Sequence, residues 1–255
     1  MLLISFIFGI CFGSFANTLV YRLPQGMSIL KPPSCCPECN KQIKTYDLIP
    51  VFSFLFLKRK CRYCASKISL MYPATEIICG LLFAVTAFVF PFPVVVPFAV
   101  FTFALIVVTF VDIKIQEIPD SMLVLIVFAA ALYIILDPGR VSWQQAAIGA
   151  ISGALPLFVF DKLTLLIAKK NGFGFGDMKL MGAAGLLLGW QGILTAFYIA
   201  FTMGMVAAFI MLIAKKADRG KYIAFAPFLC AGILISVWVY ALYGVHLLNL
   251  LFLFS

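Results

Sequence analysis

Acid is scarce in this chain, and histidine is nearly absent. Ten of the 255 residues are Asp or Glu and one is His. Charged residues make up 11% of the chain against 64% hydrophobic, and mean hydropathy is +1.11. A soluble domain carries roughly a quarter charged residues, so that class is excluded and a polytopic membrane protein is expected. The lone histidine, His246, falls near the end of the last apolar run. With no second histidine and no Ser/Lys signature, a serine protease or a histidine-ligated metalloprotease has little to build on. No long internal repeat is visible either, which removes support for repeat-built transporter folds.

Long apolar runs are what the chain does have. Spans are expected near 2–21, 74–91, 94–111, 121–136, 143–167, 178–189, 192–214 and 222–248, each close to the roughly 20 residues a bilayer requires except the short sixth. The fold class is therefore an all-α polytopic membrane protein of about eight transmembrane helices. The net charge of +9 suggests nucleic acid, but the distribution of the charge argues against it. With eight spans, eighteen of the 19 basic residues fall on one side of the membrane. They are nine residues in the stretch 22–73 together with Lys114, Lys162, Lys169, Lys170, Lys179, Lys215, Lys216, Arg219 and Lys221. Only Arg140 lies opposite. By the positive-inside rule the rich side is cytoplasmic and both termini lie outside. Joining 178–212 into one helix would throw "KKADRGK" outside and break the bias. The first segment is expected to stay uncleaved, because "GSFANTLVYRLP" has no small-x-small site before its Arg. Domain boundaries follow: helix 1–21, a cytoplasmic loop 22–73, and a membrane core 74–255.

The loop holds "CCPECNKQI" and "KCRYCASKI". Cys36-x2-Cys39 and Cys61-x2-Cys64 each put two thiolates on one turn, and two such turns form a tetrahedral four-sulfur zinc site. Four sulfurs close the coordination sphere, so the metal is expected to be structural, the core of a small zinc-ribbon-like insertion. Cys35 adjoins the first pair, while Cys11, Cys79 and Cys230 sit in apolar spans as packed thiols.

Against so few acids, two positions stand out. Asp177 sits in "KKNGFGFGDMKL" and Asp112 in "FVDIKIQEIPD", both at the expected cytoplasmic membrane edge and on different helices. A carboxylate at a membrane-helix centre costs on the order of 2.5–3.5 kcal/mol, which makes such residues functional suspects. Two carboxylates sharing one proton are the machinery of aspartic proteolysis. Gly172, Gly174 and Gly176 permit close backbone approach, both for packing and for an extended substrate strand. Asp47, Glu117 and Asp120 read as solvated charges or caps. Asp161 with Lys162 reads as a local pair or a snorkelling lysine, and Glu76 stays ambiguous.

"GFGFGDMKL" resembles the G-x-G-D motif of the type 4 prepilin peptidases, and "VDIKIQEIPD" is similar to their first aspartate motif. "GSFANTLVYRLP", the paired Cys-x-x-Cys, "YPATE" and "FAPFL" follow the family's order along nearly the whole chain, with Ala226 where glycine is usual. The resemblance implies a bifunctional enzyme of the bacterial inner membrane. Asp112 and Asp177 would be catalytic, with Gly174, Gly176, Lys179, Pro119 and Glu76 supporting substrate and site. The enzyme would cut basic leader peptides from prepilins or pseudopilins after a glycine, at the cytoplasmic face. It would also methylate the new N-terminus with S-adenosylmethionine, an activity tied to the cysteine region. The residues themselves offer no glycine-rich cofactor loop to derive that donor. Rival readings are an intramembrane protease of the presenilin or signal-peptide-peptidase type, a proton-coupled transporter and a zinc-ribbon scaffold. The first would want Tyr before Asp112, where Val111 stands. The transporter would want acids near the midplane.

Overall fold

The computed structural model describes residues 1–29, 31, 33–139, 141–169, 174–213 and 224–244. Arg140, Lys170, Gly172, Lys215, Lys216, Arg219, Lys221 and His246 lie outside the described residues. Among the described residues eight α-helices follow one another: α1 Leu2–Arg22, α2 Phe52–Phe56, α3 Met71–Val89, α4 Val95–Ile115, α5 Asp120–Leu136, α6 Trp143–Ala168, α7 Phe175–Ile213 and α8 Ala226–Tyr243. Six of them (α1, α3, α4, α6, α7 and α8) are long and apolar enough to cross a membrane, and α5 is a shorter apolar helix. No strand occurs among the described residues. The chain is a multi-pass membrane protein.

The chain divides into two compact units, Met1–Phe88 and Val89–Ser255. In the first, glycine governs how α1 meets α3. A Cβ on Gly13 would lie 2.6 Å from the Glu76 Cα, and one on Gly9 would lie 2.7 Å from the Cys79 carbonyl. Only a residue without a side chain fits such spacing. Asn17, buried, donates its amide to the Tyr72 carbonyl at 3.0 Å. Buried Arg22 closes α1 by donating to the carbonyls of Ser28 and Ile29 at 2.9 and 2.8 Å.

The second unit repeats the device between α6 and α7. A Cβ on Gly149 would overlap the Gly185 carbonyl, and one on Gly153 would overlap that of Met181. The Gly-x3-Gly spacing at 9/13 and again at 149/153 is the membrane helix-packing pattern, visible in the sequence. Capping sharpens the ends. Ser142 and Gln145 form a reciprocal capping box at the start of α6. Pro227, expected inside the last span, instead stands in the first turn of α8, where its missing N–H has no helical partner to lose.

The 39 residues of α7 hide a reversal. Gly189 has φ 68° and ψ 179°, outside the helical region and open to glycine. The ends of its two arms locate the turn. Asp177, in the first arm, faces Asp112, which binds Ala226 at the head of α8. In the second arm, Phe201 and Gly204 pack against Phe225, the residue before that same head. Far from it, Gly192 accepts from the Ser236 hydroxyl at 2.8 Å. The first arm therefore begins, and the second arm ends, at one end of the unit, as two antiparallel spans would. With arms 175–188 and 190–213, the apolar segments among the described residues number eight, the count expected from the charge distribution.

Filling the glycine seam is expected to cost more than ordinary overpacking, which runs about 1–3 kcal/mol, because the clash is with backbone. Gly149→Val and Gly185→Val should lower the thermal unfolding midpoint in detergent and the yield of monodisperse protein. Gly139→Ala, which points into open space, should leave both unchanged.

Candidate active site

Asp112 lies in the last turn of α4, buried with 6% of its surface exposed. Gln116, left-handed at φ 58°, ends the helix by donating its N–H to the Asp112 carbonyl oxygen at 2.9 Å. The Asp112 side chain reaches the other way. Its Oδ2 accepts the Ala226 N–H at 3.1 Å, one of the free donors at the head of α8, the positive end of that helix. Asp177 enters from the first turn of α7, its N–H bonded to the Gly174 carbonyl at 3.1 Å. The two carboxylates stand within electrostatic range of each other. Cys230, buried on α8, lies within electrostatic range of both and shares a side-chain hydrogen bond with Thr109.

The glycines have distinct parts here. A Cβ on Gly174 would stand 3.4 Å from Asp177 Oδ2, so its absence leaves that oxygen open. On Gly176 a Cβ would press on Ile118 at 3.1 Å, so this glycine lets the start of α7 close on the α4–α5 loop. Pro119 ends that loop as the residue capping α5, in extended conformation at φ −66° and ψ 124°. Lys179 Nζ pairs with Asp120 Oδ1 at 2.7 Å, tying α7 to α5. Asp120 is thus a partner in a cross-link, a role beyond the solvated charge or cap its sequence suggested. The pair borders an apolar groove of about 890 Å³ lined by Leu123, Val127, Ala154, Phe158, Met178 and Leu186.

Asp161 is buried on α6, and the Lys162 ammonium lies 5.4 Å from the Phe158 ring centroid. Glu117 is exposed. Glu76 belongs to the first unit, where its Oε2 accepts the Val51 N–H at 2.7 Å and its carboxylate also meets the Ser14 hydroxyl. Val51 has no counterpart in the sequence reading, and Cys230, expected there as a packed thiol and buried here, was not linked to the carboxylates. An isolated Val in a loop and a Cys in an apolar span give no pattern, although "FAPFL" did flag the Ala226 segment.

Cys36, Cys39, Cys61 and Cys64 converge, with their sulfurs all within 4.8 Å of one another. Cys36 and Cys64 are 3.9 Å apart. Four sulfurs about 2.3 Å from a central zinc would be separated by about 3.8 Å, so the cluster fits a tetrahedral metal. The two pairs are copies of one knuckle. Cys36 and Cys61 each accept from the N–H four residues on, Asn40 at 2.8 Å and Ala65 at 3.0 Å. Each donates to the carbonyl five residues on, Lys41 at 3.0 Å and Ser66 at 2.8 Å. Asn40 and Ala65 both turn left-handed, at φ 55° and 56°. Burial opposes ionisation of Cys36, but the N–H groups of Cys39 and Glu38, aided by Cys61 and Ser66, outweigh it and bring the thiol to about 6. The shift is toward the thiolate, the form that metal binding needs. Beside the knuckles, Arg62 grips Asp47 through both carboxylate oxygens, at 2.8 and 2.6 Å, and holds its carboxyl below the usual range. That contribution is present above the ordinary Asp pKa and fades as pH falls through the depressed value.

Two family models match the chain. The bacterial peptidase A24 N-terminal domain covers residues 7–90, and the type IV leader peptidase family covers residues 99–209. The prepilin leader peptidase/N-methyltransferase of Bacillus subtilis is 36% identical over 248 residues, 96% of this chain and 95% of the relative. That of Neisseria gonorrhoeae is 32% identical over 258 residues, covering 91% and 87%. That of Stutzerimonas stutzeri is 32% identical over 266 residues, covering 95% and 90%. No solved structure matches significantly. Matched by models on both of its units and by relatives along nearly its whole length, the chain belongs to the type IV leader peptidase family.

Proposed function

We propose that the chain is a membrane-embedded aspartic endopeptidase of the bacterial inner membrane. It cuts the basic leader peptide from prepilins or pseudopilins after a glycine, with Asp112 and Asp177 as the catalytic pair. The observation that carries this reading is the approach of these two carboxylates, 65 residues apart in sequence, at one end of the second unit. One carboxylate, ionised, takes a proton from a water whose oxygen attacks the scissile carbonyl carbon. The other, protonated, gives its proton to the carbonyl oxygen. Collapse of the tetrahedral species breaks the C–N bond: the leaving amine takes up the proton held by the first carboxylate, and the hydroxyl formed from the carbonyl oxygen returns its proton to the second. Gly174 leaves the Asp177 oxygen open to an extended backbone, and the apolar groove beside Lys179 and Asp120 offers a surface for a hydrophobic segment. The site faces the cytoplasm in this reading, with both termini outside, because the basic residues collect on that side.

The same chain is also an N-methyltransferase, the activity that the names of its relatives give for those proteins, and the amine it methylates in this reading is the newly cleaved N-terminus. S-adenosylmethionine supplies the methyl group when bound. Residues 22–73 contain one glycine, Gly26, and no glycine-rich turn suited to cradle such a ligand, so no side chain is assigned to it. Zn2+ is the metal whose chemistry suits four thiolates at this spacing, and it has a structural role because no coordination position is left open.

Asp112→Asn and Asp177→Asn should each cut a detergent-solubilised prepilin at least about a hundredfold more slowly than wild type while unfolding at the wild-type temperature. Cleavage at the wild-type rate by either variant would remove the dyad. The mass of the wild-type product with S-adenosylmethionine present should exceed that without it by one methyl group. Purified protein should carry one zinc per chain by elemental analysis, in line with a closed four-thiolate site. Cys36→Ser or Cys64→Ser should lower the zinc content severalfold, and cleavage by either variant should fall less than in the aspartate variants.

A further inference from the structure

The insertion between α1 and α3 carries a segment that neither the metal nor the carboxylate pair explains. Pro50, Val51 and Phe52 form a γ-turn in its strained form. The Phe52 N–H returns to the Pro50 carbonyl at 2.6 Å, and Val51 sits at φ 62° and ψ −52°. A β-branched residue avoids that region, so something must hold it there. Glu76 does so by accepting the Val51 N–H at 2.7 Å.

The position of that bond fixes the depth of the turn. Glu76 is the sixth residue of α3, about 7–8 Å along the axis from its first. Ser14, its other partner, lies eight residues before the end of α1, about 12 Å in. Both helices are apolar and long enough to span. The turn is therefore drawn alongside the ends of two membrane helices, at the level where headgroups give way to acyl chains. The side chains around it suit that level. Leu48, Ile49, Phe52 and Leu55 are exposed, and Phe56 is 83% exposed. After Leu57 come Lys58, Arg59 and Lys60, all exposed, and no acidic residue occurs between Asp47 and Glu76. Apolar side chains beside a basic run are the composition of a segment lying in the plane of an anionic lipid surface.

We propose that residues 48–60 form an interfacial membrane anchor. The anchor is pinned by Glu76 through the Val51 turn. The apolar side chains enter the acyl boundary beside α1 and α3, and Lys58, Arg59 and Lys60 meet anionic phospholipid headgroups. The proposal rests on the multi-pass membrane reading and is independent of the peptidase assignment.

The test uses the full chain in phosphatidylethanolamine/phosphatidylglycerol vesicles, with the photo-crosslinking residue p-benzoylphenylalanine at one position at a time. Mass analysis then identifies the adduct. Phe56 and Phe52 should yield phospholipid adducts comparable to those at Phe88, which is exposed on the spanning helix α3. The yield should exceed that at Tyr63, in the second knuckle, by at least about fivefold. Glu76→Ala should lower the lipid adduct at Phe56 severalfold with Phe88 unchanged. Adducts from both Phe56 and Phe52 to protein, within the chain or to another copy, would overturn the anchor. So would an absence of lipid adducts at both while Phe88 gives them. Absence at Phe88 as well would instead overturn the bilayer reading on which the proposal rests.

Discussion

Two helices in lipid come within backbone distance of each other only where neither has a side chain in the way. The second unit depends on that constraint at Gly149, Gly153 and Gly185, where any Cβ would meet a carbonyl of the opposing helix. Lipid tails are as apolar as the helices, so no hydrophobic drive presses α6 onto α7, and close van der Waals packing must supply the association. The seam fixes the first arm of α7, and the first arm carries Asp177. Gly189 then returns the chain, and the second arm meets the residues that lead into α8. The N–H that binds Asp112 belongs to the head of that helix. The seam that fixes this arm contains no charge, and the charged members of the site are delivered to one end of the unit.

Much of this is legible in the amino-acid sequence. Apolar length and the one-sided distribution of Lys and Arg gave eight segments, including a division of the longest run near residue 189. The scarcity of acids directed attention to Asp112 and Asp177. The doubled Cys-x2-Cys spacing gave the metal cluster. Other parts were not legible, for physical reasons. The bond from Glu76 to Val51 joins residues 25 apart through a turn that valine disfavours, so propensity argues against it. The pairing of Lys179 with Asp120 depends on how α7 lies against α5, which periodicity does not report. The hydrogen bond of Asp112 uses the main chain of Ala226, and a backbone donor has no sequence letter of its own. The Gly-x3-Gly spacings were in plain view, but they acquire meaning only when the opposing carbonyls are known.

The first unit solves a different problem. A loop of some fifty residues between two membrane helices has too few apolar side chains to fold around a core of its own. It uses repetition instead, the same knuckle built twice with matching backbone hydrogen bonds and matching left-handed turns. Each knuckle presents two sulfurs and neither completes a site alone. The fork of Arg62 on Asp47 joins the second knuckle to the short helical turn Thr45–Leu48. Being at the surface, it fixes geometry more than it stabilises.

The way the two knuckles are spaced along the chain has a topological consequence. With a metal bound, the stretch from Cys39 to Cys61 becomes a closed ring, and Val51 sits near its middle, fastened to α3 through Glu76. The ring is thereby divided into two short arcs of about ten residues each, and closing short arcs removes most of the freedom such a chain would otherwise have. A segment held in this way cannot lift away from α3 by fraying at one end. It must release its centre or open the metal site, so the two fastenings back each other up.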